Sequence, residues 1–281
     1  MRGLLGLLLL SLLFACKWEP KNIEISADEI SVYTKSFNTA MDSMYDYHLS
    51  LSPVAQTYEG LKTNNDKWDV RNDSTELFYY EMAKGELDFL KNYDLAYLDH
   101  QAQLTFRMYE ANLQENRYNY DNWRDYYYPV NQMFGSHTWY PSFLMDVHTI
   151  SSKEDAFAWL SRLSQLNTQI ERLIEDLEKS KAKGIVAPKF VYAYVLKDCG
   201  NLLQGAPFDK NGVNPLVADY KKDVDALPGL TELDKQVLTD SANVLMLKVF
   251  KPAYEKLISY VIEMEKIATT DAGVWKFKNG D

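Results

Sequence analysis

The chain has 281 residues, enough for one large helical domain or two small ones around a proper hydrophobic core. Apolar residues make up 46% and charged residues 25%, a globular composition that excludes a disordered chain. The net charge of −10, with the short basic runs at 179–183 and 221–222 flanked by acids, excludes the clustered Lys and Arg surface that nucleic acid requires.

Met1-Arg2-Gly3 is a short positive segment, and residues 4–14 form a leucine-rich apolar run. The run is too short to span a bilayer, which takes ~20 residues, so it reads as a secretory signal. It ends in Leu13-Phe14-Ala15-Cys16, which resembles the bacterial lipobox. The resemblance implies a diacylglyceryl group on the Cys16 sulfur, cleavage after Ala15 and acylation of the new amine. Each acyl CH₂ buried contributes ~0.8 kcal/mol to holding such a protein on a membrane. Lys17, rather than Asp, follows Cys16 and points to the outer membrane of the cell envelope. Residues 1–15 are therefore expected to be a signal peptide, 16–26 a lipidated tether and 27–281 a helical domain. With Cys16 lipidated, Cys199 has no partner for a disulfide. It sits beside Val195 and Leu196 in a predicted helix and is expected as a buried thiol.

From Ala27 the pattern turns helical: Ile30, Tyr33, Phe37, Met41, Met44, Tyr45 and His48 recur at three- and four-residue steps. Ser26 is the expected N-cap, with Glu29 as its capping-box partner, and Pro53 ends the helix. Residues 60–74 are polar and read as a loop. A second helix is expected over 75–84 and a third over 86–116, with Leu87, Leu90, Leu95, Leu98, Leu104, Met108 and Leu113 as the apolar face of the third. Residues 118–141, rich in Tyr and Trp, are the least regular stretch. Ser151, with Glu154, reads as the cap of the next helix. Gly184 reads as the end of another, and Pro188 starts one that runs through Leu203. The longest helix is expected over 231–268, kinked or broken by Pro252. No alternation demands a sheet, so the expected fold is all-α: a multi-helix array of long antiparallel helices with an irregular aromatic-rich central segment.

The four histidines, His48, His100, His137 and His148, have no His or Cys at i+3 or i+4, so no helix carries a ready-made zinc pair. No Gly-x-Ser-x-Gly elbow and no phosphate-cradling glycine loop occurs. Glu171, Glu175 and Glu178 share a stripe with lysines beside it and read as a solvated face. No catalytic residue, metal ligand or cofactor is assigned within the chain. The candidate ligand contacts lie in the aromatic segment: Trp123, Asn131, Gln132, His137, Trp139 and Tyr140.

Several stretches in order carry a wider resemblance. They are YDLAYLDHQAQLTFRMYEANL at 93–113, Asn131-Gln132 with Gly135, Pro141-Ser142-Phe143-Leu144, DAFAWLSRL at 155–163 and GIVAPKFV at 184–191. Asn214-Pro215-Leu216, Lys251-Pro252-Ala253-Tyr254, Gly273-Val274-Trp275 and Asn279-Gly280-Asp281 continue the order. Together they resemble the bacterial family known as domain of unknown function 885, many of whose members are lipoproteins. That family resembles helical zinc metallopeptidases of the zincin type. Its metal motif, a His-Glu pair followed by a Pro-Gly-His-His turn, belongs to a C-terminal half that this sequence does not contain.

The resemblance thus implies the substrate-wall portion of an envelope metallopeptidase, catalytically incomplete as given. Its expected partners are the membrane, through the lipid anchor, peptides, and a C-terminal half encoded downstream. Zinc is expected only in that half. A severed wall is expected to show an apolar docking face on the last helices, around Val249, Leu257, Val261 and Trp275. The alternatives are a self-sufficient peptide- or glycan-binding lipoprotein using the aromatic segment, and a structural lipoprotein with no ligand.

Overall fold

A capping box opens the first helix. Ser26 Oγ accepts from the Glu29 N–H at 3.2 Å, and the Ser26 N–H donates back to Glu29 Oε2 at 2.8 Å. α1 then runs Ala27–Leu51. Proline disfavours a helical residue before it, so Ser52 is extended, and Pro53 occupies the first turn of α2 (Pro53–Tyr58). This computed structural model describes residues 25–280. The expected signal peptide, Cys16 and all but the last two residues of the expected tether lie outside them.

Among the described residues every regular element is helical, and the sole β-type pairing is one isolated bridge between Ala206 and Val213. The chain has the all-α, multi-helix fold expected from its periodicity. Its buried side chains fall into two groups. The smaller lies between α1, α3 (Asp73–Leu90) and α4 (His100–Trp123), around Phe37, Leu87, Leu90, Leu98, Phe106 and Leu113.

The larger group is built by α5 (Ser136–Ser142), α6 (Lys153–Ser164), α7 (Leu166–Ala182), α8 (Lys189–Leu202), α9 (Pro215–Ala226), α10 (Glu232–Leu245) and α11 (Lys251–Ile267). Trp159 stacks on Tyr220 at 4.3 Å and Phe250 on Tyr254 at 4.5 Å inside it. Burying each such ring contributes roughly 1.5–3 kcal/mol. Cys199 is fully buried there, and burial pushes its thiol up to about 12, so it is inert packing as expected.

Several boundaries differ from the sequence reading. α3 passes straight through Gly85, where a break was expected, and the break falls at 91–99. Tertiary packing overrides the helix cost of one exposed glycine, ~1 kcal/mol. Asp99, by contrast, starts α4 by accepting from the Ala102 N–H at 2.8 Å. Leu104 and Met108 are exposed, because the buried stripe of α4 is Ala102, Phe106 and Leu113.

The irregular segment is shorter than expected. α4 reaches Trp123, and α5 carries Pro141 within it before a widened π-turn at Phe143–Val147. Ser152, not Ser151, caps α6 by accepting from the Asp155 N–H, and Ser151 instead donates to the Asp155 carboxylate. Pro188 immediately precedes α8 instead of lying in its first turn. The long C-terminal stretch is not broken at Pro252: it stays helical from Glu232 to Ile267, widening into a π-turn at Met246–Phe250 just ahead of the proline.

Of the docking face expected around Val249, Leu257, Val261 and Trp275, only Trp275 is exposed. Leu257 and Val261 are fully buried and Val249 packs on the core, because α11 lies against α7 and α8. Trp275 is 63% exposed next to the exposed Val274, and α10 and α11 expose single apolar side chains such as Leu233, Val237, Val244 and Ile267.

One buried charge fastens α2 and the 59–72 segment to α6. The Arg162 side chain is fully buried yet touches no carboxylate. Its five N–H groups reach Lys67 O, Asn65 Oδ1, His148 Nδ1, Pro53 O and Thr57 Oγ1, at 2.7 to 3.4 Å. The guanidinium also lies 4.9 Å from the Phe143 ring centre. Burial lowers its pKa to about 10, so it stays charged at neutral pH.

Arginine only donates, so His148 Nδ1 accepts from it and Nε2 carries the proton to Asp155 O at 3.1 Å. Burial first, and the Arg162 charge second, lower His148 to about 4.

Candidate functional site

The open counterpart of that clamp lies between α1, α3 and α4. The helical period that buries Phe37, Leu87 and Leu113 sends a neighbouring stripe of each helix toward a cavity of about 830 Å³. α1 supplies Met41, Met44, Tyr45 and His48, α3 supplies Tyr79, Met82 and Glu86, and α4 supplies Tyr109 and a row of asparagines. These positions repeat at three, four and seven residues, the spacing that keeps side chains on one helix face. Six tyrosines and Trp123 line the cavity in all. Its size falls within the range of small-molecule and peptide sites.

Glu86 is the polar centre of this wall. It is 7% exposed, accepts from the Tyr109 hydroxyl at 2.8 Å and lies 2.6 Å from His48 Nε2. Burial, reinforced by the Glu86 carboxylate, raises Tyr109 well above an ordinary phenol, so it stays protonated and donates. At the far end Tyr80 stacks on Tyr120 at 4.4 Å. Lys84 sits 5.4 Å from the Tyr80 ring centre and Arg124 sits 5.1 Å from that of Tyr120.

Arg124 also pairs with Asp73 and Glu76, both at 2.8 Å, and Lys183 pairs with Asp125 at 2.8 Å. These links tie the end of α4 to the start of α3 and to the turn after α7. Asp125 takes φ 64°, a left-handed conformation that asparagine and aspartate tolerate, and turns the chain back across the end of α4.

The structure distributes the sequence-derived contact residues over three environments. Trp123 lines the cavity, edge-on to Tyr126 at 5.7 Å. Asn131 shapes a turn, its Oδ1 accepting from the Met133 and Phe134 N–H groups at 2.9 and 2.7 Å, and Gln132 is exposed beside it. Tyr140 is buried and Trp139 partly buried in the larger core, at 5.4 and 5.8 Å from Trp68. His137 is buried, 3.6 Å from Asp198 Oδ2, with neither ring nitrogen hydrogen-bonded. Burial lowers its pKa, so it is neutral at pH 7.

His137 and His148 belong to separate networks. Glu171, Glu175 and Glu178 pair with Lys256, Arg172 and Lys181 on the surface, as expected of a solvated face.

Among the described residues no three His, Cys, Asp or Glu side chains come together as a metal-binding group. His48 turns to Glu86, His148 to Arg162, His137 to Asp198, and His100 is exposed at the start of α4. Among the described residues the donor set does not fit a zinc centre.

The fold and this cavity define an all-α protein with an aromatic groove on its N-terminal helices. Residues 53–280 match the family described as Bacterial protein of unknown function (DUF885), and the chain belongs to that family. No curated protein matches it. Among solved structures, that of a protein from Colwellia psychrerythraea described as a lipoprotein is similar, with a TM-score of 0.69 and 15% identity. The likeness covers 90% of this chain and 43% of that one, so the chain spans less than half the length of that structure. At that identity the likeness is one of fold. α1, which supplies one wall of the groove, precedes the residues matched by the family.

Proposed function

We propose that this chain is the ligand-binding helical part of a bacterial cell-envelope lipoprotein, anchored through Cys16, and that the groove is a wall against which a peptide lies. The cavity of about 830 Å³, with its six tyrosines and Trp123, carries this reading. Tyrosine and tryptophan offer large contact area at low entropy cost, which suits them to recognition. Methionines 41, 44 and 82 add an adaptable apolar lining.

In the wider reading the wall belongs to a larger metallopeptidase-like protein, whose metal ligands come from sequence beyond residue 281. The Leu13-Phe14-Ala15-Cys16 sequence supports the anchor, and Lys17 supports the outer membrane. The fold shared with the Colwellia protein agrees with an envelope setting.

Calorimetric titration of the purified chain with short aromatic and aliphatic peptides tests the groove. Binding that raises the melting temperature supports it, with about 2.7 kcal/mol of stabilisation at a hundredfold excess over Kd. A panel that produces neither heat nor shift overturns it. For the anchor, a bacterial host fed labelled palmitate is expected to label the chain but not C16S. Label retained in C16S refutes lipidation there. A glycan ligand is the second reading, favoured by Asn112, Asn116 and Asn119, which line the cavity along α4 and offer amides to sugar hydroxyls.

A further inference from the structure

The groove holds a buried carboxylate that the protein meets only with a phenol and an imidazole. Of the acidic residues lining the cavity, Glu76 is paired with Arg124 and Asp125 with Lys183. Glu86 differs. Among the described residues it has no lysine or arginine partner, and its contacts are the Tyr109 hydroxyl and the His48 ring. Each carboxylate oxygen accepts two hydrogen bonds, so one acceptor position on each is unused. The neighbouring lining is apolar, with Met41, Met82, Ala83 and Leu113. A carboxylate in such surroundings is costly unless a donor of opposite charge meets it.

Resting on the groove reading, we propose that Glu86 makes the groove selective for a ligand bearing a primary ammonium on an aliphatic stem, as a lysine side chain of a peptide does. The chemistry matches in two parts. The stem lies along methionine and tyrosine surface, as lysine stems lie on apolar protein surface elsewhere. The ammonium reaches the free acceptor positions of Glu86. Tyr79, seven residues before Glu86 on the same face of α3, extends the ring surface along which a ligand stem can lie. The Tyr80–Tyr120 pair at the far end of the cavity is already covered by Lys84 and Arg124.

The test is calorimetric titration of the purified chain with three blocked tripeptides. They have phenylalanine at both ends and lysine, norleucine or glutamate in the middle. The lysine peptide is expected to bind at least about tenfold tighter than the norleucine peptide, and the glutamate peptide weakest. In E86Q, which keeps the size of the side chain, the lysine preference is expected to vanish while norleucine affinity holds.

Equal affinity of the unmodified chain for lysine and norleucine peptides overturns the inference and leaves the groove reading standing. No binding by any peptide overturns both, and binding of a neutral oligosaccharide alone does the same in favour of the glycan reading. An aliphatic diamine that displaces the lysine peptide assigns recognition to the ammonium itself. Failure to displace it assigns recognition to lysine within a peptide.

Discussion

Arg162 and Glu86 are both buried charges without a side chain of opposite fixed charge, and the two regions treat them differently. Around Arg162 the protein supplies a neutral acceptor for every guanidinium N–H and an aromatic ring for its face. The result ties α2 and the 59–72 segment to α6. Around Glu86 it supplies two partners, and the residue lines an open cavity. A satisfied charge is a fastening, because nothing more can be added to it. A charge met by only two neutral-capable donors beside an open cavity can still accept a donor from a ligand.

The largest expected effect comes from breaking the fastening. R162M is expected to lose about 3–5 kcal/mol of stability, since several buried acceptors are left unpaired at once. R162K tests whether charge or geometry matters. It is expected to recover little, because an ammonium cannot span acceptors arranged around a planar fork. Urea denaturation of both variants checks this. Full recovery by lysine sinks the geometric account.

His148 makes the same clamp sensitive to acid. Its pKa is 6.5 when unperturbed and about 4 in the fold, so the native state takes up its proton later than the unfolded chain. The associated stability is complete above 6.5 and is lost as pH falls toward 4, by about 3 kcal/mol in all. Asp155 extends the loss below this window. Burial raises it, but hydrogen bonds from Ser151 and the Lys62 ammonium outweigh burial and bring it to about 2.

H148Q, which can still accept from Arg162 and donate to Asp155 O, is expected to flatten the fall between pH 6.5 and 4. His137, also held down by burial, preserves part of the slope. A melting curve whose pH dependence is unchanged in H148Q contradicts this assignment.

In the open region a comparable truncation is expected to separate binding from folding. Tyr79 lines the groove and is 41% exposed, so Y79A is expected to change stability by no more than about 0.5 kcal/mol. Peptide affinity is expected to drop about tenfold. Equal losses in both measurements erase the distinction between wall and core.

That distinction is also what the sequence hides. Met41, Met44, Tyr45 and His48 are plain in the sequence as a helical stripe with Phe37, yet Phe37 is buried while the other four line the cavity. A core seam and a groove wall have the same period, so spacing alone cannot tell them apart. Local chemistry is more legible. Ser26 with Glu29, Pro53 and Gly184 act through their own or adjacent backbone and mark their boundaries directly. The aromatic segment is legible only in part. Trp123 reaches the cavity, but Trp139 and Tyr140 are drawn into the core by contacts with Trp68, more than sixty residues away in sequence. Arg162 and Glu86 carry no sequence signature, because their meaning depends on which acceptors or donors the fold brings to them.

Gly85 gives the smallest and most local test. It interrupts an otherwise continuous helical pattern, which is why the sequence suggests a boundary there, yet α3 runs through it. It is exposed, and an added Cβ would meet nothing within 4 Å. The folded state therefore gains no clash from alanine, while the unfolded chain loses conformational freedom that folding must otherwise overcome. G85A is expected to stabilise the protein by about 0.5–1 kcal/mol, a rise of about 2 °C in Tm. Gly85 does not line the cavity although Glu86 does, so peptide affinity is expected to stay unchanged. A gain in stability accompanied by weaker binding would mean that the groove opens by flexing α3 at this glycine, and the wall would then be a moving part rather than a fixed one.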